Sequence, residues 1–205
     1  MLKAVAATSG LAFLALAVVA RSSAYLPVDP PVSQAVQSQD AGWLHTLAEA
    51  ISWMGFPPQV AVEVALLALV IFLTGQRWEA LGVAVAGAGA GVLYLLSLPV
   101  VDQPRPSPDL VRVAASLPSS AFPSGHETTV TAVLGFLGYV GSRHGRLARR
   151  LALAVGVGLA ILIVGWARLY QGQHWLSELV GGFCLGCFWL AVTILVYQRV
   201  STRAD

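Results

Sequence analysis

The chain has 205 residues, of which 57% are hydrophobic and 11% are charged, and its formal net charge is +2. Soluble domains contain roughly 25% charged residues, so the composition excludes an ordinary soluble protein, and the small net charge argues against a nucleic-acid-binding one. Because about 20 apolar residues cross a bilayer as one helix, we expect a single polytopic membrane domain over residues 1–205.

Six apolar runs follow one another along the chain, each close to the length of a spanning helix. They cover about residues 4–20, 58–75, 79–99, 124–142, 151–168 and 174–198. The predicted fold is therefore all-α, a bundle of six transmembrane helices. The first run follows Lys3 and is interpreted as a retained helix, because the small-residue cleavage pattern of a secretion signal is only loosely met at its end.

The long segment between the first two runs, residues 21–57, bears proline and serine at its start and then becomes helix-like. Trp43, Leu47, Ile51 and Met54 recur there at helical spacing, with polar residues between them. This pattern is typical of a helix that lies in the membrane interface. Two roles remain open for it: a wall or lid for a lipid entrance, and simple packing.

The distribution of basic residues predicts the orientation in the membrane. With a cytoplasmic N-terminus, the inside segments contain Lys3, Arg77, Arg143, Arg146, Arg149, Arg150, Arg199 and Arg203, and the outside segments contain Arg21, Arg105, Arg112 and Arg168. This bias favours cytoplasmic termini. We expect a multi-pass protein of the plasma membrane.

Three short polar clusters interrupt the apolar sequence. They are Gln103-Pro104-Arg105-Pro106, Pro123-Ser124-Gly125-His126 and Arg168-x5-His174-x3-Glu178. A charge at hydrocarbon depth costs about 2.5–3.5 kcal/mol on insertion scales, so such groups are functional candidates. In the predicted topology all three clusters lie at non-cytoplasmic helix ends, and we expect them to form one site at that face of the membrane.

The third cluster has the pattern of an activated nucleophile. His174 and Glu178 are four residues apart at the start of the last helix, so their side chains share one face. The carboxylate can accept one imidazole N–H and leave the other ring nitrogen free to attack phosphorus. A metal site is the alternative, but no third ligand has clear spacing and two nearby arginines would repel a cation. We expect neither a metal nor a cofactor.

The other polar residues provide the remaining parts of a phosphate site. Ser124 is a plausible N-cap of the fourth helix, whose free N–H groups at Gly125 and His126 would bind phosphate. His126 is placed to protonate a departing oxygen. The guanidinium groups of Arg105 and Arg168 match the equatorial oxygens of a phosphoryl group. Either arginine alone would be better explained by snorkelling to the headgroups.

These clusters resemble the motifs of the type 2 phosphatidic acid phosphatase family, whose members share an active site with vanadium haloperoxidases and bacterial acid phosphatases. The family pattern is K-x6-R-P, P-S-G-H and S-R-x5-H-x3-D. The second motif is complete here, the first retains Arg105-Pro106, and the third retains Arg168-x5-His174. The resemblance covers about residues 45–198 and leaves an extra N-terminal helix and loop at 1–44.

The resemblance implies a role for each matching residue. His174 would be the nucleophile and His126 the general acid, while Arg105, Arg168, Ser124 and Gly125 would form the phosphate cradle. Glu178 would then orient the nucleophile.

Three positions depart from the family pattern: Leu98 replaces the Lys, Ala167 the Ser and Glu178 the Asp. Glu178 keeps the charge and adds a methylene group. Loss of one donor to transition-state charge costs about 2.7–4 kcal/mol, so activity would be lowered rather than abolished. Arg112, further along the first loop, is a candidate replacement for the lost cation.

The function that the resemblance implies is a metal-independent phosphatase of lipid phosphates or diphosphates, acting through a phosphohistidine at the outer membrane face. Its candidate substrates are polyprenyl diphosphate, which we favour mildly, phosphatidic acid and phosphatidylglycerol phosphate. Two alternatives remain: a lipid phosphotransferase, and a non-catalytic lipid-binding or transport relative. The expected partners are the lipid substrate and the bilayer, and no nucleic acid.

Overall fold

The computed structural model describes residues 1–115, 117, 120–143 and 145–201, and these residues form eight α-helices and no strand. The helices are α1 (Leu2–Ser22), α2 (Asp29–Gln37), α3 (Gly42–Met54), α4 (Pro57–Leu73), α5 (Arg77–Val101), α6 (Gly125–Ser142), α7 (Leu147–Tyr170) and α8 (Leu176–Ser201). The all-α prediction is confirmed. Arg203, which entered the charge count, lies outside the described residues.

Each of the six apolar runs corresponds to one long helix: α1, α4, α5, α6, α7 and α8. The largest difference is at the start of α7, which begins at Leu147 and so includes two basic residues, Arg149 and Arg150, that precede the apolar run. Backbone hydrogen bonding continues beyond the apolar stretch, because polar side chains at a helix end reach the headgroup region.

Four described helices, α1, α5, α7 and α8, are long and apolar enough to cross a membrane. Helices α3 and α4 together form a fifth candidate, bent by 67° at the break between them. Helix α6 is not among these candidates, and it opens on the polar residues 126–129. The chain is therefore a multi-pass membrane protein.

The segment before α4 contains two helices where the sequence predicted one. Helix α3 matches the predicted helix at residues 43–54. Helix α2 was not predicted, because neighbouring prolines such as Pro30 and Pro31 are typical of a loop. Both prolines lie in its first turn, where the N–H that proline lacks would have no helical acceptor.

Helix α8 lies at the centre of the bundle and packs against α1, α5 and α6. Its glycines allow the backbones to approach closely. A Cβ atom on Gly182 would lie 2.6 Å from the Ser124 carbonyl oxygen, and one on Gly186 would lie 2.6 Å from the Thr131 Cβ. The start of α6 is thereby held against the first turns of α8.

The loop after α5 returns toward the same end of the bundle. Helix α5 ends at Val101 and is capped by Asp102, whose φ of 49° is left-handed, a conformation that Asp tolerates better than most residues. Gln103 then fixes the loop through two hydrogen bonds. Its side-chain Nε2 donates to the Ser23 carbonyl at 3.1 Å, and its backbone carbonyl accepts from the Ala121 N–H at 2.9 Å. Arg105 follows two residues after this anchored position.

The close crossing of α5 and α6 predicts a stability effect. Phe136 is fully buried, and a Cβ atom on Gly82 would lie 2.1 Å from its Cζ atom. We expect Gly82→Ala to destabilise the protein by about 1–3 kcal/mol, as overpacking does, which a lower midpoint of thermal unfolding in detergent would reveal. The matched control is Gly156→Ala on the exposed face of α7, where a Cβ atom meets nothing within 4 Å. Equal midpoints for the two variants would contradict the prediction.

Candidate active site

The structure brings the three polar clusters together at one end of the bundle. A cavity of about 740 Å³ is lined by Arg105, His126, Arg168 and His174, together with Gly125 at the start of α6. These residues come from four separate parts of the chain. The predicted convergence of the clusters is therefore seen in the folded chain.

The predicted contact between His174 and Glu178 is present. The His174 Nδ1 atom lies 2.8 Å from Glu178 Oε2, and both side chains are buried. The same oxygen accepts the Trp175 backbone N–H at 3.1 Å, at the residue directly before α8. A Glu at the third helical position that reaches back to this N–H is half of a capping box. One carboxylate oxygen of Glu178 thus both orients the imidazole and caps its own helix.

The other nitrogen of His174 faces Arg105. Because a carboxylate can only accept, Nδ1 carries the proton and Nε2 keeps its lone pair. Arg105 Nη1 lies 3.4 Å from Nε2 and donates to the Gln173 carbonyl at 2.7 Å. Burial, and then the charges of Arg168 and Arg105, hold the pKa of His174 well below its ordinary value. The ring is therefore neutral at pH 7 and can act as a nucleophile.

The Arg168 guanidinium is the most constrained charge in the cavity. Only 1% of the residue is exposed, and its Nε and Nη1 atoms have no hydrogen-bond partner among the described residues. The guanidinium lies 5.4 Å from the centre of the Phe56 ring. A buried cation whose donors are unsatisfied is costly, so the arrangement is suited to an anion that uses these donors.

Ser124 occupies the predicted N-cap position of α6, but it does not cap the helix with its side chain. Its Oγ atom is buried without a partner in the described part of the chain, whereas its backbone N–H donates to the Glu178 carbonyl at 3.1 Å. The first N–H groups of the helix, starting at Gly125, have no acceptor within it. Such a terminus stabilises negative charge.

His126 makes a contact that the sequence did not predict. Its Nε2 atom lies 2.8 Å from the carbonyl oxygen of Ser52, in the last turn of α3. Its ring also meets the Phe56 ring edge to face, at 5.3 Å between the centroids. No motif marks these two partners, which lie 70 and 74 residues before His126 in the chain.

Two of the three departures from the family pattern lie away from the cavity. Leu98 is half-buried and is not among the residues that line it. Ala167 packs in an apolar cluster with Ala48 of α3 and Tyr170. Tyr94, one turn before Leu98 on α5, does line the cavity. Sequence reasoning missed Tyr94 because the motif position and the residue that faces the site differ by one helical turn.

Arg112 does not replace the lost cation. Its Nη1 atom pairs with Asp40 Oδ1 at 3.2 Å, and its guanidinium lies 5.0 Å from the centre of the Tyr170 ring. A hydrogen bond from His45, and then the charge of Arg112, hold the pKa of Asp40 below its ordinary value. The charge of Arg112 is therefore matched outside the cavity, and this prediction is not supported.

A buried carboxylate in the N-terminal segment holds the start of α8, which carries Glu178. Asp29 accepts three hydrogen bonds: from the Ser177 N–H at 2.9 Å, from the Ser177 hydroxyl at 2.7 Å and from the Leu26 N–H at 2.6 Å. Asp29 thus caps the Ser177 N–H of α8, in addition to the local contact that Glu178 makes with the Trp175 N–H. A cap 148 residues away in sequence leaves no pattern that could predict it.

The remainder of the cavity is apolar. Its walls are Val60, Ala61, Val64 and Ala65 of α4, and Ala84, Gly87, Ala88, Gly91, Val92 and Leu95 of α5. Positions 84–95 extend over roughly 16 Å of helix. A Cβ atom on Gly91 would meet nothing within 4 Å, so the space beside this helix face is open. The polar end of the cavity therefore continues into an apolar groove between α4 and α5.

Comparisons with known proteins agree with this architecture. The family model of the PAP2 superfamily matches residues 79–201. Phosphatidylglycerophosphatase B of Bacillus subtilis (strain 168) is 24% identical over 179 residues, which cover 86% of each chain.

Two solved structures share the fold. A transmembrane PAP2-type phosphatidylglycerolphosphate phosphatase from Bacillus subtilis superposes with a TM-score of 0.82 at 21% identity, over 95% of this chain and 96% of that one. LpxE of Aquifex aeolicus superposes with a TM-score of 0.66 at 18% identity, over 83% of this chain and 96% of that one.

The unsatisfied guanidinium of Arg168 predicts two opposite effects of one substitution. Arg168→Met removes a buried charge, so we expect the phosphate-free protein to gain about 1–4 kcal/mol in stability. Inorganic phosphate should stabilise the wild type, by about 2.7 kcal/mol at a hundredfold excess over Kd, and should not stabilise Arg168→Met. Thermal unfolding in detergent with and without phosphate measures both effects.

Arg112→Met is the matched control, because that arginine pairs with Asp40 outside the cavity. It should respond to phosphate as the wild type does. If Arg168→Met kept the full phosphate response, the assignment of Arg168 to anion binding would be wrong.

Proposed function

Because the chain belongs to the PAP2 superfamily, we propose that it is a membrane phosphatase of lipid phosphates or diphosphates that works through a phosphohistidine. One observation carries the proposal. The cavity places Arg168, which has two unsatisfied donor nitrogens, beside His174, whose ring is oriented by a carboxylate. An anion binder and an activated nucleophile in one cavity are what phosphoryl transfer requires.

In the first step the phosphoryl oxygens bind Arg105, Arg168 and the N-terminus of α6. His174 Nε2 attacks phosphorus, so that a P–N bond forms while the P–O bond to the leaving group breaks. His126 donates a proton to the departing oxygen. Glu178 stabilises the resulting phosphoimidazolium through its bond to Nδ1.

In the second step water replaces the leaving group. His126, now deprotonated, takes a proton from the attacking water, the P–O bond to water forms and the P–N bond breaks. Inorganic phosphate leaves and both histidines return to their starting states. Two guanidinium groups and a helix N-terminus supply the positive charge that the reaction needs, so we propose a metal-independent reaction.

The lipid chain of the substrate would lie in the apolar groove between α4 and α5, which is continuous with the phosphate end of the cavity. Continuity supports a lipid over a soluble phosphate ester, because a soluble substrate would have no use for an apolar extension. The candidates are phosphatidylglycerol phosphate, to which the name of the Bacillus subtilis relative points, polyprenyl diphosphate and phosphatidic acid.

We further propose six membrane crossings, by α1, α4, α5, α6, α7 and α8, within a single membrane domain. Helix α6, with 18 residues, spans about 27 Å and so approaches the thickness of the hydrocarbon core. Helix α3 would lie in the interface and form a wall of the site. The excess of basic residues supports cytoplasmic termini, with the site at the outer face of the plasma membrane.

Replacement of the nucleophile tests the mechanism. We expect His174→Ala to reduce phosphate release from the three lipids by roughly 10⁴-fold or more, in buffer with EDTA. With a substrate radiolabelled in its transferable phosphate, a base-stable and acid-labile protein adduct should form in the wild type and be absent from the variant. The control is His45→Ala, an exposed histidine paired with Asp40. Undiminished turnover in His174→Ala would refute the phosphohistidine.

Obstruction of the groove tests the lipid assignment. Gly91→Leu should place a side chain in the open space between α4 and α5. We expect kcat/KM for a long-chain phosphatidic acid to fall by about 10-fold or more, as the loss of buried methylene groups predicts. A short-chain analogue should be hydrolysed as before. Gly156→Leu, on the exposed face of α7, is the control. If Gly91→Leu lowered kcat/KM equally for the long-chain and the short-chain substrate, the lipid tail would not lie in this groove.

A further inference from the structure

The short link between α3 and α4 contacts two of the groups that the proposed mechanism uses. We call residues 52–56 the α3–α4 corner. The Ser52 carbonyl oxygen lies 2.8 Å from His126 Nε2. The Phe56 ring contacts the His126 ring edge to face and also lies under the Arg168 guanidinium. The corner lies outside the polar motifs and before the family match at residues 79–201.

The nearby His126 ring, rather than an unusual backbone conformation, requires glycine at position 55. Its φ of −88° and ψ of 2° are accessible to other residues. A Cβ atom on Gly55 would lie 2.0 Å from His126 Cδ2 and 2.5 Å from Nε2. The missing side chain therefore leaves the space that the imidazole occupies, and any larger residue would move the ring.

We propose that the α3–α4 corner is a positioning element for the general acid. The inference rests on the proposed function, in which His126 protonates the leaving group. Since the Ser52 carbonyl can only accept, Nε2 carries a proton and donates it to that oxygen. Nδ1 is then the ring nitrogen that exchanges a proton with the substrate.

His126 can transfer a proton from Nδ1 while Nε2–H keeps its hydrogen bond to the Ser52 carbonyl. Before transfer the ring is an imidazolium with protons on both nitrogens. The Nδ1–H bond breaks as an O–H bond forms on the leaving oxygen, while the P–O bond breaks and the P–N bond to His174 forms. The ring is then neutral and Nε2–H still donates to Ser52. The carbonyl thus orients His126 in both protonation states, as the carboxylate orients a triad histidine.

A displaced general acid has a specific kinetic signature. A basic leaving group needs protonation as it departs, whereas a weakly basic one leaves as the anion. Loss of general-acid catalysis typically costs about 10²–10⁴-fold, and it should affect phenyl phosphate far more than para-nitrophenyl phosphate. A structural defect that lowers the fraction of active protein would reduce both rates by the same factor.

The experiment compares kcat/KM of the full chain in detergent for these two esters. We expect Gly55→Ala to lower the phenyl phosphate value by about 10²-fold or more and the para-nitrophenyl phosphate value far less. Gly42→Ala, at the start of the same helix α3, is the matched control, because a Cβ atom there meets nothing within 4 Å. If Gly55→Ala lowered kcat/KM by the same factor for both esters, or lowered it for neither, the proposal would be overturned.

His126→Ala separates this inference from the proposed function. If His126→Ala lowered kcat/KM for both esters by the same factor, the role of His126 as general acid would be wrong, and the inference would fail with it. If His126→Ala discriminated between the esters while Gly55→Ala did not, only the inference would fail.

A double variant covers the case in which Gly55→Ala does not fold. In His126→Ala the imidazole that would clash is absent. The double variant should therefore unfold at a higher temperature than Gly55→Ala alone, and its kcat/KM for phenyl phosphate should be no lower than that of His126→Ala. Such non-additivity is the mark of two residues that act through one contact. Additive losses in stability and rate would show that Gly55 acts independently of His126.

Discussion

Burial of the Arg168 guanidinium at the end of α7 is the constraint on which the site depends. The charge is removed from water, and two of its nitrogens find no acceptor in the described part of the chain. Arg105 after α5 and the N-terminus of α6 meet around it with further donors, and His174 before α8 presents the lone pair of its Nε2 atom. Glu178 is turned toward the imidazole and its own helix start. The cavity keeps net positive charge and is complementary to an anion.

The long helices could be predicted because each depends on a local pattern, an apolar run of membrane-spanning length. The contact of His174 with Glu178 follows from helical spacing. The grouping of the three polar clusters at one end of the bundle follows from the alternating direction of successive membrane-spanning helices. The Ser52–His126 bond and the Asp29 cap of α8 could not be predicted, since each joins residues at least 74 positions apart without a motif. Ser124 was placed correctly at the N-cap, but the position alone does not decide where its hydroxyl points.

The motif departures have a physical explanation in the packing. Ala167 lies in the apolar contact between α3 and α7, where it is fully buried in a cluster with Ala48 and Tyr170. Leu98 lies off the cavity, whereas Tyr94 on the same helix lines it and its ring packs on Gly125. The site therefore has fewer cations than the family pattern, with a phenol at its edge.

The α3–α4 corner links the two halves of the cavity. Phe56 contacts the polar end through His126 and Arg168, and the next residue, Pro57, begins the helix that walls the apolar groove. Among the described helices, α4 packs mainly on α5, where Val64 fits against Gly87. A lipid chain in the groove would therefore contact the same continuous segment that holds His126, the proposed general acid. Such a connection lets binding energy from the non-reacting tail contribute to the alignment of the reacting groups, which raises turnover rather than affinity alone.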